Sequence, residues 1–122
     1  EIDPGLVQAF INRGLAELNG GLHDLAIDDF TAALTLEPHS AIAHNNRGVA
    51  HRRKGQLEQA VADFEAALRI DPDYGTARKN RTDAMNASAD TNAAEADRQK
   101  TALSEEKRES IRRNLLLHPD GK

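Results

Sequence analysis

A 34-residue self-similarity dominates this chain and restricts the folds open to it. Shifted by 34, Ala9, Asn12, Arg13, Gly14, Ala16, Gly21, Ala26, Asp29, Phe30, Ala32, Ala33, Leu34 and Pro38 meet identical residues in the segment from Ala43 to Pro72, making 13 identities between positions 7–40 and 41–74. A period of this size marks a stacked array, in which each unit buries its apolar face only against its neighbours. Such an array holds other molecules more often than it transforms them.

Each unit reads as helix, Gly-containing turn, helix, Pro-containing turn. The first helices are expected over 7–19 and 41–53, and the second over 23–36 and 57–70. Gly20-Gly21 and Lys54-Gly55 end the first helices, because Gly reaches the left-handed conformation that closes a helix. Pro38 and Pro72 end the second, since Pro lacks an N–H and restricts the residue before it. Ser40 and Asp73 are placed to cap the helices that follow. Gly14, Gly48, Ala26, Ala60, Ala33 and Ala67 let helix axes approach, with Phe30 and Phe64 as large plugs between them.

With small-Gly in the first helix, Ala-Phe-Ala in the second and Pro in the linker, the chain resembles the tetratricopeptide repeat family. The residues are Gly14, Ala26, Phe30, Ala33 and Pro38, then Gly48, Ala60, Phe64, Ala67 and Pro72. The Asn-Arg-Gly runs at 12–14 and 46–48 are similar to a subgroup common in bacterial members. The resemblance implies an all-α fold of tandem antiparallel helix-turn-helix repeats in a superhelix, with a C-terminal capping or extension helix. It departs where first-helix aromatics are usual: Phe10 and Glu17 stand there in one unit, His44 and His51 in the other.

The expected organisation is a remnant of a preceding repeat at 1–6, repeats at 7–40 and 41–74, and a degenerate third repeat or cap helix at 75–86. A linker or continuing helix follows at 87–100, then an amphipathic helix and tail at 101–122. Glu1-Ile2-Asp3-Pro4 aligns with the ends of both second helices, so the chain is expected to be a piece of a longer protein. In the cap, Asn80 and Arg81 keep the register, Thr82 replaces the Gly, and Arg98 stands where Phe is due. In the tail, Glu105 with Arg108, and Glu109 with Arg112 and Arg113, have helix-stabilising spacings. His118-Pro119-Asp120-Gly121 ends that helix. Leu103, Ile111, Leu115 and Leu116 form an apolar stripe that must pack on the cap, enter a groove or pair with its twin.

Charge and composition exclude several functions. The net charge of −4 hides a segment 1–40 at −6, a balanced 41–74 and a 75–122 at +2. Such polarity can orient a charged partner, or simply solvate an outer helix face. There are no cysteines, which removes disulfides, Cys-zinc sites and thiol catalysis. Nucleic-acid binding is disfavoured by the acidic balance, one Tyr and no Trp. No apolar run spans a membrane; a soluble protein is expected, and the resemblance implies a bacterial one, of cytoplasm or periplasm, the compartment itself being left open.

No phosphate loop, nucleophile elbow or carboxylate pair is discernible, so no enzyme and no cofactor are expected. His44 and His51, seven apart, are too distant to share a metal ion; they are read as packing residues. The resemblance implies a non-catalytic protein-interaction scaffold, with first helices lining a concave groove for a peptide or protein segment. Carried over position by position, the partner-binding residues are Ile11, Leu15, Asn45, Val49, Arg52 and Lys79, within a lining that includes Gln8 and Ile42. Alternatively, Ile11 and Leu15 complete packing with an upstream unit. Relatives that clamp chaperone C-terminal carboxylates use Lys, Asn and Arg where this chain has Ile11, Leu15, Val49, Lys79 and Asp83. Only Lys79 fits, which argues against a chaperone-tail adaptor. The rival function is a structural assembly module, self-associating through Leu103, Ile111, Leu115 and Leu116 on the C-terminal helix into a homo-oligomer.

Overall fold

The computed structural model describes residues 3–117, which form helices α1 (Pro4–Asn19), α2 (His23–Leu36), α3 (Ala41–Arg53), α4 (Leu57–Ile70) and α5 (Gly75–Leu117). Two compact units divide after Ser88, Glu1–Ser88 and Ala89–Lys122. In the first, α1 packs on α2 and α3 on α4 as helical hairpins, and α2 joins one hairpin to the next. Gly21 and Gly55 carry φ of +79° and +80° and close the two hairpin turns, in the left-handed region that L side chains rarely adopt.

Hairpin packing follows from the small-residue pattern. Phe30 and Phe64 are wholly buried, as are Ala26, Ala33, Ala60 and Ala67 around them. An added Cβ at Gly14 would lie 2.6 Å from Phe30 Cε1, and one at Gly48 2.6 Å from Phe64 Cε1. The rings therefore rest on bare helix backbone, and only Gly admits them so closely. Each plug is also covered by the next first helix: Phe30 clusters with Ala43 and Ala50 of α3, and Phe64 with Ala84 of α5. This dependence of each unit on its neighbour is the physical basis of a stacked array.

Several local expectations are revised. Helix α1 starts at Pro4 rather than at residue 7, because Asp3 caps it: Gly5 N–H donates to Asp3 Oδ1 at 2.8 Å, and Pro suits the first turn, where its missing N–H is no loss. Residues 3–6 thus belong to α1 and its cap; Glu1 and Ile2 lie outside the described residues. Ser40 caps α3, accepting from Ala43 N–H at 3.2 Å. Asp73 does not cap α5, since its N–H donates to Asp71 Oδ1 within the turn and the helix begins two residues later. The segment 87–100 continues α5 as helix rather than forming a linker. Its richness in Ala, and the absence of Pro and Gly, allow the helix to propagate. The expected stop at 118–121 lies outside the described residues. Among the described residues, no helix is long and apolar enough to cross a membrane.

The second unit consists of the continuation of α5. Its residues from Ala89 to Leu117 are all exposed, including Leu103, Ile111, Leu115 and Leu116. The stripe read from the sequence is therefore a displayed surface and not a core.

Candidate functional site

The candidate surface is built on the first helices α1, α3 and α5. They are tied side by side by two bonds. Arg53 Nη1 donates to the Leu18 carbonyl oxygen at 3.1 Å, a second bond to an acceptor that also takes the Gly21 N–H at the end of α1. Asn80 Nδ2 donates to Asn45 Oδ1 at 3.1 Å, joining α5 to α3. The pKa of the Tyr74 hydroxyl near Asn45 is raised, because burial disfavours the phenolate.

The six residues proposed from sequence do not share one environment. Ile11 and Asn45 are 5% and 4% exposed. Ile11 is part of the core with Val7 and Leu18, and Asn45 is engaged with Asn80, so these two form the floor and are not open to a ligand. Leu15 and Val49 are half-buried, their outer faces available, and Arg52 is also half-buried. Lys79 is exposed, with its Nζ 3.2 Å from Asp83 Oδ2 one helical turn on. Beside them, Gln8 Nε2 donates to Asn12 Oδ1 at 2.9 Å on α1, and Ile42 is 55% exposed on α3. Ile42 is thus a large apolar side chain displayed on this surface and not packed in the core.

A second polar cluster lies between the helices of each hairpin. Arg13 grips Asp29 through two bonds of 2.7 Å, and Arg47 grips Asp63 through two of 2.8 Å. These bidentate pairs are charge-assisted and geometrically demanding. Asp29 is held below the usual carboxylate range by Arg13, and Arg47 is raised by Asp63. Glu17 is pushed up, first because its protonated form would donate a hydrogen bond to the Asp29 carboxylate, then by burial and by the charge of that neighbour.

In the second hairpin the corresponding neighbours are histidines. His44 Nδ1 lies 3.3 Å and His51 Nε2 3.8 Å from the Asp63 carboxylate, while His51 Nδ1 is 2.8 Å from Gln56 Oε1. Both rings pack against α4, and their convergence on Asp63 was not foreseen. The signal was present: 44, 47 and 51 share a helix face, and Arg47 and Asp63 repeat the spacing of Arg13 and Asp29. No group of three His, Cys, Asp or Glu residues suited to a metal ion occurs among the described residues.

Clefts in the repeat unit lie away from the first-helix surface. One of 560 Å³ is lined by Arg13, Glu17, Leu25, Asp28 and Asp29, and another of 590 Å³ by residues that include Pro38, His44, Arg69 and Ile70. Neither contains any of the six residues predicted to bind a partner.

Comparison with known proteins now adds to this geometry. The tetratricopeptide repeat profile matches residues 11–75. Among solved structures, the TPR domain of Sgt2 from Aspergillus fumigatus is similar at 32% identity and a TM-score of 0.68, over 72% of this chain and 58% of that one. The chain thus spans less than two thirds of that domain's length. The Arabidopsis OM64 TPR domain is similar at 27% identity and a TM-score of 0.63, over 66% of this chain and 68% of that one. The first TPR of Spaghetti (RPAP3), bound to the HSP90 peptide SRMEEVD, shares the fold at 24% identity and a TM-score of 0.69, covering 98% of this chain and 84% of that one. No curated protein matches the chain at the significance these structures reach.

Proposed function

The chain belongs to the tetratricopeptide repeat family, and from that premise we propose that it is a non-catalytic protein-interaction scaffold that binds a peptide segment across its first helices. The observation that carries this is the tying of α1, α3 and α5 into one surface by the Arg53–Leu18 and Asn45–Asn80 bonds. Such bonds hold the surface in place before a ligand arrives, which lowers the ordering cost of binding. Ile42, Leu15 and Val49 supply apolar contact, and Arg52 and Lys79 supply donors for carboxylates. The fitting ligand is a segment that combines apolar and acidic side chains.

The HSP90 peptide bound by the Spaghetti domain is not the proposed ligand. Ile11 is in the core here, Leu15 and Val49 are apolar, and Asp83 stands beside Lys79, so of these five positions only Lys79 offers a cation to a terminal carboxylate.

The test is selection of peptides from a random display library, with the chain and its Arg52→Glu/Lys79→Glu variant as baits. Wild type should enrich acidic-apolar sequences, and the variant should weaken the selected peptides at least tenfold, about 1.4 kcal/mol. No enrichment, or peptides that bind both baits equally, would sink the proposal.

A further inference from the structure

The repeat pattern persists past the point where the chain should turn. Gly21 stands eight residues from both Arg13 and Asp29, and Gly55 eight from both Arg47 and Asp63. Eight residues on either side of position 89 stand Arg81 and Asp97. Ala77, Asn80, Ala84 and Ala94 likewise repeat Ala43, Asn46, Ala50 and Ala60. A third hairpin is thus written in the sequence from 75 to about 104. Position 89 is Ala, however, and α5 runs through it without interruption from Gly75 to Leu117.

The face of α5 that should meet its second helix carries the marks of a missing partner. Arg81 Nε is buried with no hydrogen-bond acceptor, whereas Arg13 and Arg47 each hold an aspartate by two bonds. Met85, at the position of Glu17 and His51, is half exposed. Asp97, the repeat equivalent of Asp29 and Asp63, is exposed. A buried donor without an acceptor is costly and rare in native structures.

We infer that a second copy of this chain supplies the missing helix, by antiparallel pairing of two α5 helices about a twofold axis at Ala89. Residues 91–103 of each copy then lie on residues 75–87 of the other, and each Arg81 receives the other copy's Asp97. The pairing is the one made within the first two hairpins, exchanged between chains, as in domain swapping. Closure within one chain is opposed because Ala89 would have to take the left-handed conformation of Gly21 and Gly55 and break an intact helix. At the crossing, Ser88 and Ala89 are small enough for close helix approach.

Thr82 and Arg98 fit this placement. A Phe at 98 would press on the Thr82 side chain, as Phe30 and Phe64 press on Gly positions. Arg98, exposed on α5, replaces that plug, so no apolar ring here needs a further helix to cover it. The assembly is independent of what the first-helix surface binds.

The test is sedimentation of the full 122-residue chain, of Arg81→Asp, of Asp97→Arg, and of an equimolar mixture of the two variants, each checked for helicity by circular dichroism. Wild type should be a dimer, and each variant alone should weaken dimerisation at least tenfold by setting like charges together. The mixture should recover it, because a heterodimer opposes the two substituted positions and keeps one native pair. Ala89→Gly should shift the chain toward monomer by allowing closure within one copy. A wild-type monomer, a dimer indifferent to both variants, or a mixture no better than its components would each overturn the inference.

Discussion

Replacing Gly48 by Ala places a methyl carbon 2.6 Å from Phe64 Cε1, 2.8 Å from Cδ1 and 3.1 Å from Cζ. Carbon atoms are comfortable at about 3.5–4.0 Å, so the ring must retreat by roughly 1 Å. Phe64 has little room to do so, being wholly buried against Ala60 and Ala84. Overpacking of this kind costs about 1–3 kcal/mol. Against it stands the helix propensity of Ala over Gly, a gain of about 0.8–1.0 kcal/mol in a helix interior. The net expectation is destabilisation of up to about 2 kcal/mol, a sign opposite to that of propensity alone.

Phe64→Leu removes the Cε1 and Cζ atoms responsible for the two outer clashes. In that background Gly48→Ala should be neutral or stabilising by up to about 1 kcal/mol, leaving a coupling on the order of 1–3 kcal/mol between the sites. Urea unfolding followed by far-ultraviolet circular dichroism measures all four corners, the midpoint reporting stability if the slope is unchanged. If Gly48→Ala stabilises the otherwise native chain, or costs the same with Leu at position 64, the ring-on-glycine account of the hairpin is wrong.

Asn45→Ala should lower stability by about 1–3 kcal/mol in the same assay, because it strands the Asn80 amide donor, even before any partner is added. Asp63→Ala should cost about 3–5 kcal/mol, since it removes the acceptor of a guanidinium whose side chain is only 24% exposed. Asp29→Ala should cost less, because Arg13 is 66% exposed and water replaces its partner; thermal melts of the two variants should keep that order. Glu17→Gln should raise the melting temperature at neutral pH by relieving repulsion from Asp29 and Asp28. The folded-state pKa of Glu17 is raised, so the wild-type deficit appears as pH rises above the ordinary value of 4.5 and disappears below it. Melts on both sides of that value should show the gap between variant and wild type closing on the acid side; a constant gap would refute the assignment.

Hairpin architecture was legible because its determinants are local and doubled. Each copy carries its own Gly turn and Pro stop, and helices His23–Leu36, Ala41–Arg53 and Leu57–Ile70 occupy the expected spans. The start of α1 was misplaced because Asp3-Pro4 matches both the end of a second helix and a cap with Pro in the first turn. Only the cap bond distinguishes them. The candidate surface was less legible. Helical spacing puts Ile11, Leu15, Asn45 and Val49 on one side of their helices, but does not say how deeply the neighbours cover that side.

By itself, then, the sequence determined the period, the helical hairpin, the Phe plug and the two turns. Each follows from backbone preferences and from residues within one unit. Tertiary structure decided that Ile11 and Asn45 are floor while Ile42 and Arg52 are surface, that both His44 and His51 converge on Asp63, and that α5 continues through Ala89. The first two outcomes depend on helices distant in sequence, where a few ångströms of axis separation decide between burial and display. The third sets the propensity of an Ala-rich helix to propagate against a remaining Arg-Asp repeat pattern. Without a glycine to turn the chain, propagation wins.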